Sequence, residues 1–184
     1  KRLRLSKASE RLFNDIEQSL DSAVHELQVT NFLLYPSDLE TYGLDIALES
    51  FARGFGRLTG IDVRLHTDRV DHVSIDRQRT LMRVTQEAMT NVYRHAHASR
   101  ASIRLKITEK HALLYVADNG RGIRWKEMPS SSKVSTGIGI SGMHARVDEV
   151  GGAFRVKSQA GKGTRIIAMI PLTRTRSKTD RRSS

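Results

Sequence analysis

Gln86-Glu87-Ala88-Met89-Thr90-Asn91-Val92-Tyr93-Arg94-His95-Ala96 is the stretch on which the fold turns. Glu87, Asn91 and His95 stand four residues apart, so on a helix they share one face. Leu81, Val84, Ala88 and Val92 form an apolar stripe beside them. A polar line next to a core stripe can border a cleft. An asparagine carbonyl and a carboxylate oxygen are hard ligands suited to Mg²⁺, which keeps waters and shares substrate phosphates. The carboxylate can instead act as a general base. Taken alone, the stretch also reads as a solvated helix face.

Three further stretches follow toward the C-terminus. Val116-Ala117-Asp118-Asn119-Gly120-Arg121-Gly122-Ile123 sets a carboxylate at a strand end, where it can accept a hydrogen bond from a ligand amino group. The glycines beside it let backbone approach a flat ring closely. Asn-Gly also signals a hairpin turn, but the residues after it do not alternate like a partner strand. Thr136-Gly137-Ile138-Gly139-Ile140-Ser141-Gly142-Met143 leads three glycines into a helix, which turns backbone N–H groups toward an anion. It does not end in Gly-Lys-Ser/Thr and no strand directly precedes it, so it is neither a Walker loop nor a dinucleotide fingerprint. A hinge is its other reading. Gly161-Lys162-Gly163-Thr164 is alone an ordinary turn and in company one wall of the same cleft.

Around these stretches the pattern is α+β. Leu12, Ile16, Leu20, Val24, Leu27 and Leu34 recur at helical spacing, predicting one helix over 6–35 that Pro36 stops. Its length suits a coiled or bundled partner helix, or else packing on its own domain. Thr41 to Gly43 reads as a turn, 44–58 as a helix and 61–66 as a strand. Asp76 is the expected N-cap of a helix reaching about Ala96. Strands follow over 101–108 and 112–117, then a loop over 118–136 and a helix over 138–150. The last strands, 154–158 and 164–172, are joined by a short turn, so part of the sheet is antiparallel. Residues 173–184 carry nothing apolar beyond the last strand and read as a disordered basic tail.

Composition narrows the classes. The 184 residues suit one domain with a helical appendage, and no apolar run approaches the roughly 20 residues of a membrane span. Cysteine is absent, which removes disulfides, thiolate metal sites and a cysteine nucleophile. The formal charge is +11, which raises the expectation of an anionic partner. Lys1, Arg2, Arg4 and Lys7 crowd one end, and Arg174, Arg176, Lys178, Arg181 and Arg182 the other. Between them, no single patterned element gathers the basic residues, so direct DNA binding is not expected. A start at Lys1 rather than Met reads as a piece of something longer.

In this order, the four stretches resemble the N, G1, G2 and G3 boxes of the ATPase fold shared by histidine kinases, DNA gyrase and MutL. The resemblance is nearest to the sensor histidine kinases that partner NarL-type response regulators. Gln86 to Asn91 is similar to that branch's N box, and Gly139 to Val147 to its phosphate-side helix start. Asn31 to Pro36 with Gly43 to Leu48 is similar to the join between second dimerisation helix and ATPase domain. The resemblance implies a two-layer α/β sandwich with a mixed, largely antiparallel sheet, preceded by a long helix. It implies three parts: a dimerisation helix over 1–40, an ATP-binding catalytic domain over 41–172, and the tail.

It also implies roles. Asn91 would hold Mg²⁺ against the triphosphate of ATP, and Glu87 would position or deprotonate at the γ-phosphate end. Arg94 and His95 would lie near the phosphates, and Asp118 would bind the adenine amino group. Gly120 and Gly122 would leave room for the purine. Gly137, Gly139 and Gly142 would shape the phosphate lid and helix start, with Arg124 to Ser135 as the lid and Ser130-Ser131-Ser132 as its hinge. Thr164 would sit near the adenine end. His144 and Ala145 stand where the branch has Arg-Glu, so neither is given a role. The branch's phospho-accepting histidine would lie upstream of Lys1; His25-Glu26-Leu27 resembles another branch's acceptor box but falls on the wrong helix. The whole implies a cytoplasmic kinase part that binds ATP without phosphorylating itself, from a full-length protein that forms a homodimer through its helical domain. The alternatives are a serine kinase or ATPase on the same fold, and a basic module for nucleic acid or membrane.

Overall fold

The computed structural model of the chain describes residues 7–34, 39–123 and 138–172. The chain divides into two compact units near residue 35. The first is a single helix, α1 (Lys7–Leu34). Its stripe residues Leu12, Ile16, Leu20, Val24 and Leu27 remain 48–69% exposed, because one helix cannot bury its own apolar face. Tyr35 and Pro36 lie outside the described residues.

The second unit is a five-stranded sheet with helices on one face. In chain order come α2 (Leu39–Tyr42), α3 (Leu44–Thr59), β1 (Asp62–Thr67), α4 (Ile75–Asn91), a π-turn (Val92–Ala96), β2 (Arg100–Ile107), β3 (His111–Asp118), α5 (Ile138–Glu149), β4 (Ala153–Ser158) and β5 (Thr164–Pro171). The strand order is β1-β2-β3-β5-β4. β1 runs parallel to β2, while the β2–β3, β3–β5 and β4–β5 pairs are antiparallel. The expected mixed, largely antiparallel sheet under helices is therefore present.

Alternation explains which face is covered. Ile103 and Leu105 of β2, Leu114 and Val116 of β3, and Ala168 and Ile170 of β5 point to one side and are buried. Against them pack Leu48 and Phe55 of α3, Leu81, Val84 and Met89 of α4, and Met143 and Val147 of α5, all buried. Each fully buried large side chain is worth about 1.5–3 kcal/mol over an exposed one.

Two local expectations are corrected. Ser74, not Asp76, is the N-cap of α4, in an extended conformation with φ −60° and ψ 149°. Asp76 falls in the first turn, where a carboxylate still meets the positive helix end. The segment expected as a turn at Thr41 instead forms the short helix α2, closed by the Gly43 N–H donating to Leu39 O at 3.0 Å. Gln78 supports the same corner: its side-chain oxygen accepts from Leu44 N at 2.9 Å and its amide donates to Val73 O at 2.7 Å. A glutamine on α4 thus satisfies an N–H that the start of α3 would otherwise leave open.

Candidate functional site

α4 lies across the sheet and carries Glu87 and Asn91 on its last turn. Beyond Asn91 the helix widens. Val92 N donates to both Ala88 O and Met89 O, and one π-turn follows before His97 reverses the chain at φ 51°. Such single wide turns re-aim side chains and recur at functional sites. Here Val92 stays buried while Arg94 and His95 both reach a cavity of about 1000 Å³. That cavity is lined by Glu87, Asn91, Arg94, His95, Asp118, Gly122, Gly139 and Thr164, eight of the eleven candidate positions. Its apolar walls are Val92, Val116, Ile123, Ile140 and Ile166.

Gly120 and Gly142 are not among the lining residues. Gly137, with the expected lid over 124–135 and its serine hinge, lies outside the described residues.

Asp118 ends β3 and lines the cavity. Its Oδ1 accepts from Gly120 N at 2.8 Å. Burial pushes its carboxyl above the ordinary aspartate range, while N–H donors of Gly120 and Thr164 pull the other way. Its neighbour Asn119 does not make a hairpin. The Asn119 side chain accepts from Ser99 N and Arg100 N at 3.1 and 2.9 Å, and donates to Ser99 Oγ at 3.0 Å. That clamp ties the end of β3 to the start of β2 and aims Asp118 inward.

The glycines here are required by backbone crowding. A Cβ on Gly120 would strike the Ala96 carbonyl, and one on Gly122 the Gln159 carbonyl. Gly122 also sits at φ +68°, a conformation side chains disfavour. Arg121 N donates to Ala96 O at 2.8 Å, and Gly161 N to Arg121 O at 2.7 Å. Ser158 adds a further tie: its hydroxyl accepts from Ile123 N at 2.7 Å and lies 2.9 Å from Thr164 Oγ1. Three stretches distant in sequence, around 96, 120 and 160, are thereby held together as one rim. The sequence marks Ser158 with no motif, because its contribution is where the crossing segments place it.

Glu87 and Asn91 face the first turn of α5. A Cβ at Gly139 would collide with the Glu87 carboxylate, and would lie 3.5 Å from Asn91 Nδ2. A carboxylate beside a helix N-terminus is electrostatically favoured. Asn91 Nδ2 is buried and has no hydrogen-bond partner within the described structure. Buried polar groups rarely lack one, and an exception calls for a ligand or water. Asn91 and Glu87 together offer hard oxygen atoms and an open donor, a set that fits Mg²⁺ carried by phosphate oxygens.

A two-layer domain of this topology, with a half-buried aspartate and an Asn–Glu pair lining one cavity, is a domain of the ATPase type. The chain belongs to the histidine kinase-, DNA gyrase B-, and HSP90-like ATPase family, whose pattern it matches over residues 76–174.

Among similar curated proteins, the sensor histidine kinase NarS of Mycobacterium tuberculosis is 34% identical over 84% of this chain and 36% of its own length. The sensor histidine kinase LiaS of Bacillus subtilis is 31% identical, over 85% of this chain and 42% of its own. The oxygen sensor histidine kinase NreB of Staphylococcus carnosus is 28% identical, over 86% and 45%. The chain thus spans less than half the length of these relatives. Among solved structures, the histidine kinase domain of the blue-light activated kinase of Erythrobacter litoralis EL346 matches with a TM-score of 0.60 at 20% identity. That match covers 85% of this chain and 81% of the other. The fold is that of a histidine kinase domain, as the sequence led us to expect. Among the described residues, no helix is long and apolar enough to cross a membrane.

Proposed function

We propose that this chain is the part of a two-component sensor kinase that binds Mg·ATP and delivers its γ-phosphoryl group to a histidine. The observation that carries the reading is that Asp118 and the Glu87–Asn91 pair line one cavity together with the apolar side chains of Val116, Ile123 and Ile166. In this reading Asp118 accepts a hydrogen bond from the adenine amino group. Val116, Ile123 and Ile166 enclose the ring. Asn91 holds the metal-bound triphosphate, Arg94 lends positive charge beside it, and His95 lies near the phosphates. The bound Mg²⁺ would neutralise phosphate charge.

Phosphoryl transfer is mostly positioning and electrostatics. A nitrogen of the acceptor imidazole attacks the γ-phosphorus in line. The bond to the bridging oxygen breaks, ADP leaves, and Glu87 orients the imidazole or takes its proton. The acceptor belongs to a segment beyond this chain. His25 is exposed on α1, in the other unit, and is not assigned the role. The exposed stripe of α1 supports a homodimer formed through the helical region. In this reading the final recipient is an aspartate of a NarL-type response regulator, in the cytoplasm; the relatives' names as sensor histidine kinases support the kinase class.

Calorimetric titration with ATP and Mg²⁺ tests the reading on the parent and on Asp118→Ala. Saturable binding that the substitution abolishes is expected, with no acid-labile phosphate retained from radiolabelled ATP. Absence of binding in the parent would overturn it. Retained label that His25→Ala removes would relocate the acceptor to α1. Steady ATP turnover by the chain alone would favour an ATPase instead.

A further inference from the structure

The sheet face turned away from the helices carries a concentration of positive charge that sequence order hides. Registering the strands places Arg64 of β1, Arg100, Arg104 and Lys106 of β2, Arg165 of β5, and Arg155 and Lys157 of β4 on that one face. All seven are exposed. Asp62 is the acidic residue of those strands on this side, and it lies 3.8 Å from Arg64. None of the other six forms an ion pair within the described structure. Between the cationic flanks runs a half-buried apolar band of Leu113 and Tyr115 on β3 and Ile167 and Met169 on β5. At about 4.8 Å per strand, the patch is roughly 20 Å across.

Leaving six cations unpaired on one face costs self-repulsion unless something anionic meets them. We infer that this face docks the domain onto an anionic lipid surface, the phosphates meeting the cationic flanks and the apolar band lying against the headgroup boundary. Three observations select lipid among polyanions. The face is a broad sheet surface, without a projecting helix or ribbon to enter a duplex groove. It offers one aromatic, Tyr115, where single strands need a row of stacking platforms. Apart from Asp62, which is taken up by Arg64, its charge is of one sign around a half-buried apolar band, which suits a continuous layer of like phosphates rather than a protein surface of mixed charge. The cationic residues Arg174 to Arg182 follow β5 in sequence and add charge of the same sign. The nucleotide cavity opens among the helices on the opposite side, so docking and ATP binding are compatible.

The test is co-sedimentation of the whole chain with phosphatidylcholine vesicles, with and without about 30% phosphatidylglycerol. The parent is expected to bind only the anionic vesicles and to be released by high salt. The triple variant Arg104→Glu, Arg155→Glu, Lys157→Glu should lose at least about tenfold in vesicle affinity, with ATP affinity unchanged as proof of folding. If that variant loses ATP binding, the glutamine versions of the three replace it, with a smaller loss expected. Changing Arg174, Arg176, Lys178, Arg181 and Arg182 to glutamine should weaken binding less than the triple variant does. The inference is overturned if the parent ignores anionic vesicles, or if a folded sheet variant binds them like the parent. Duplex DNA bound more tightly than vesicles, and released by the same three substitutions, would reassign the face to nucleic acid and equally overturn it.

Discussion

Replacing Asp118 by asparagine separates the site's chemistry from its architecture. Asparagine has nearly the same shape, and its side-chain oxygen can still accept from Gly120 N, now 2.8 Å away. The turn that aims the residue is therefore retained. Burial already opposes the charge on Asp118, so removing that charge does not cost the fold at neutral pH, and the melting temperature should move by less than about 2 °C. Nucleotide binding should respond strongly. A charged acceptor facing an amino group becomes a neutral amide, and hydrogen bonds to charged groups are worth about 1.5–3 kcal/mol. ATP affinity should fall roughly 10–100-fold, since 1.4 kcal/mol is a factor of ten. GTP should gain relative to ATP, because guanine carries an oxygen where adenine carries the amino group, and the new amide can donate to it. Calorimetric titration of both proteins with both nucleotides, beside thermal melts, reads all these quantities. ATP affinity within about twofold of the parent, or a loss that merely follows a fall in melting temperature, would refute the assignment of Asp118 to the purine.

Three other expectations follow from the same geometry. Asn91→Ala removes a buried amide nitrogen that has no partner among the described residues, so the melting temperature should hold or rise while Mg·ATP affinity falls; a melting temperature that drops with affinity would make Asn91 structural. Gly122→Ala puts a Cβ at φ +68° against the Gln159 carbonyl, costing at least about 1–2 kcal/mol and roughly 3–8 °C of melting temperature; an unchanged melt would show that the rim is not held as described. Asp118 has a carboxyl raised by burial, so its contribution to stability is fully present below the ordinary aspartate range and is lost as pH rises through the raised value. ATP binding runs the opposite way, weakening as pH falls through that value, and Asp118→Asn should flatten this acid limb.

What the sequence made legible was whatever repeats or punctuates. The alternation in 101–108, 112–117 and 164–172 carries each buried face directly, and the four-residue spacing of Glu87, Asn91 and His95 survives into one cavity. The register of the sheet was not legible, because pairing depends on which strands meet, not on what either contains alone. The cationic face follows from this: Arg104 is distant in the chain from Arg155 and Arg165, and the three look unpatterned until β2, β3, β5 and β4 are laid in order. The π-turn was likewise hidden, since 92–96 continues the helical pattern; in the structure Val92 is buried there while Arg94 and His95 reach the cavity.

The glycines carry a further lesson about reading a site from a motif. Gly120 and Gly122 were expected to make room for a flat ring, a role in which a methyl group would touch the ligand. In the structure the same methyl groups would first strike the carbonyls of Ala96 and Gln159. The glycines draw the three crossing stretches close enough for Arg121 N to reach Ala96 O and Gly161 N to reach Arg121 O. Only with those bonds made does Asp118 line the cavity with Thr164 beside it. The same residue type at the same position thus acts one step earlier than the motif suggests. It shapes the wall that holds the acceptor, so a substitution there should lower stability before it lowers any affinity specific to adenine.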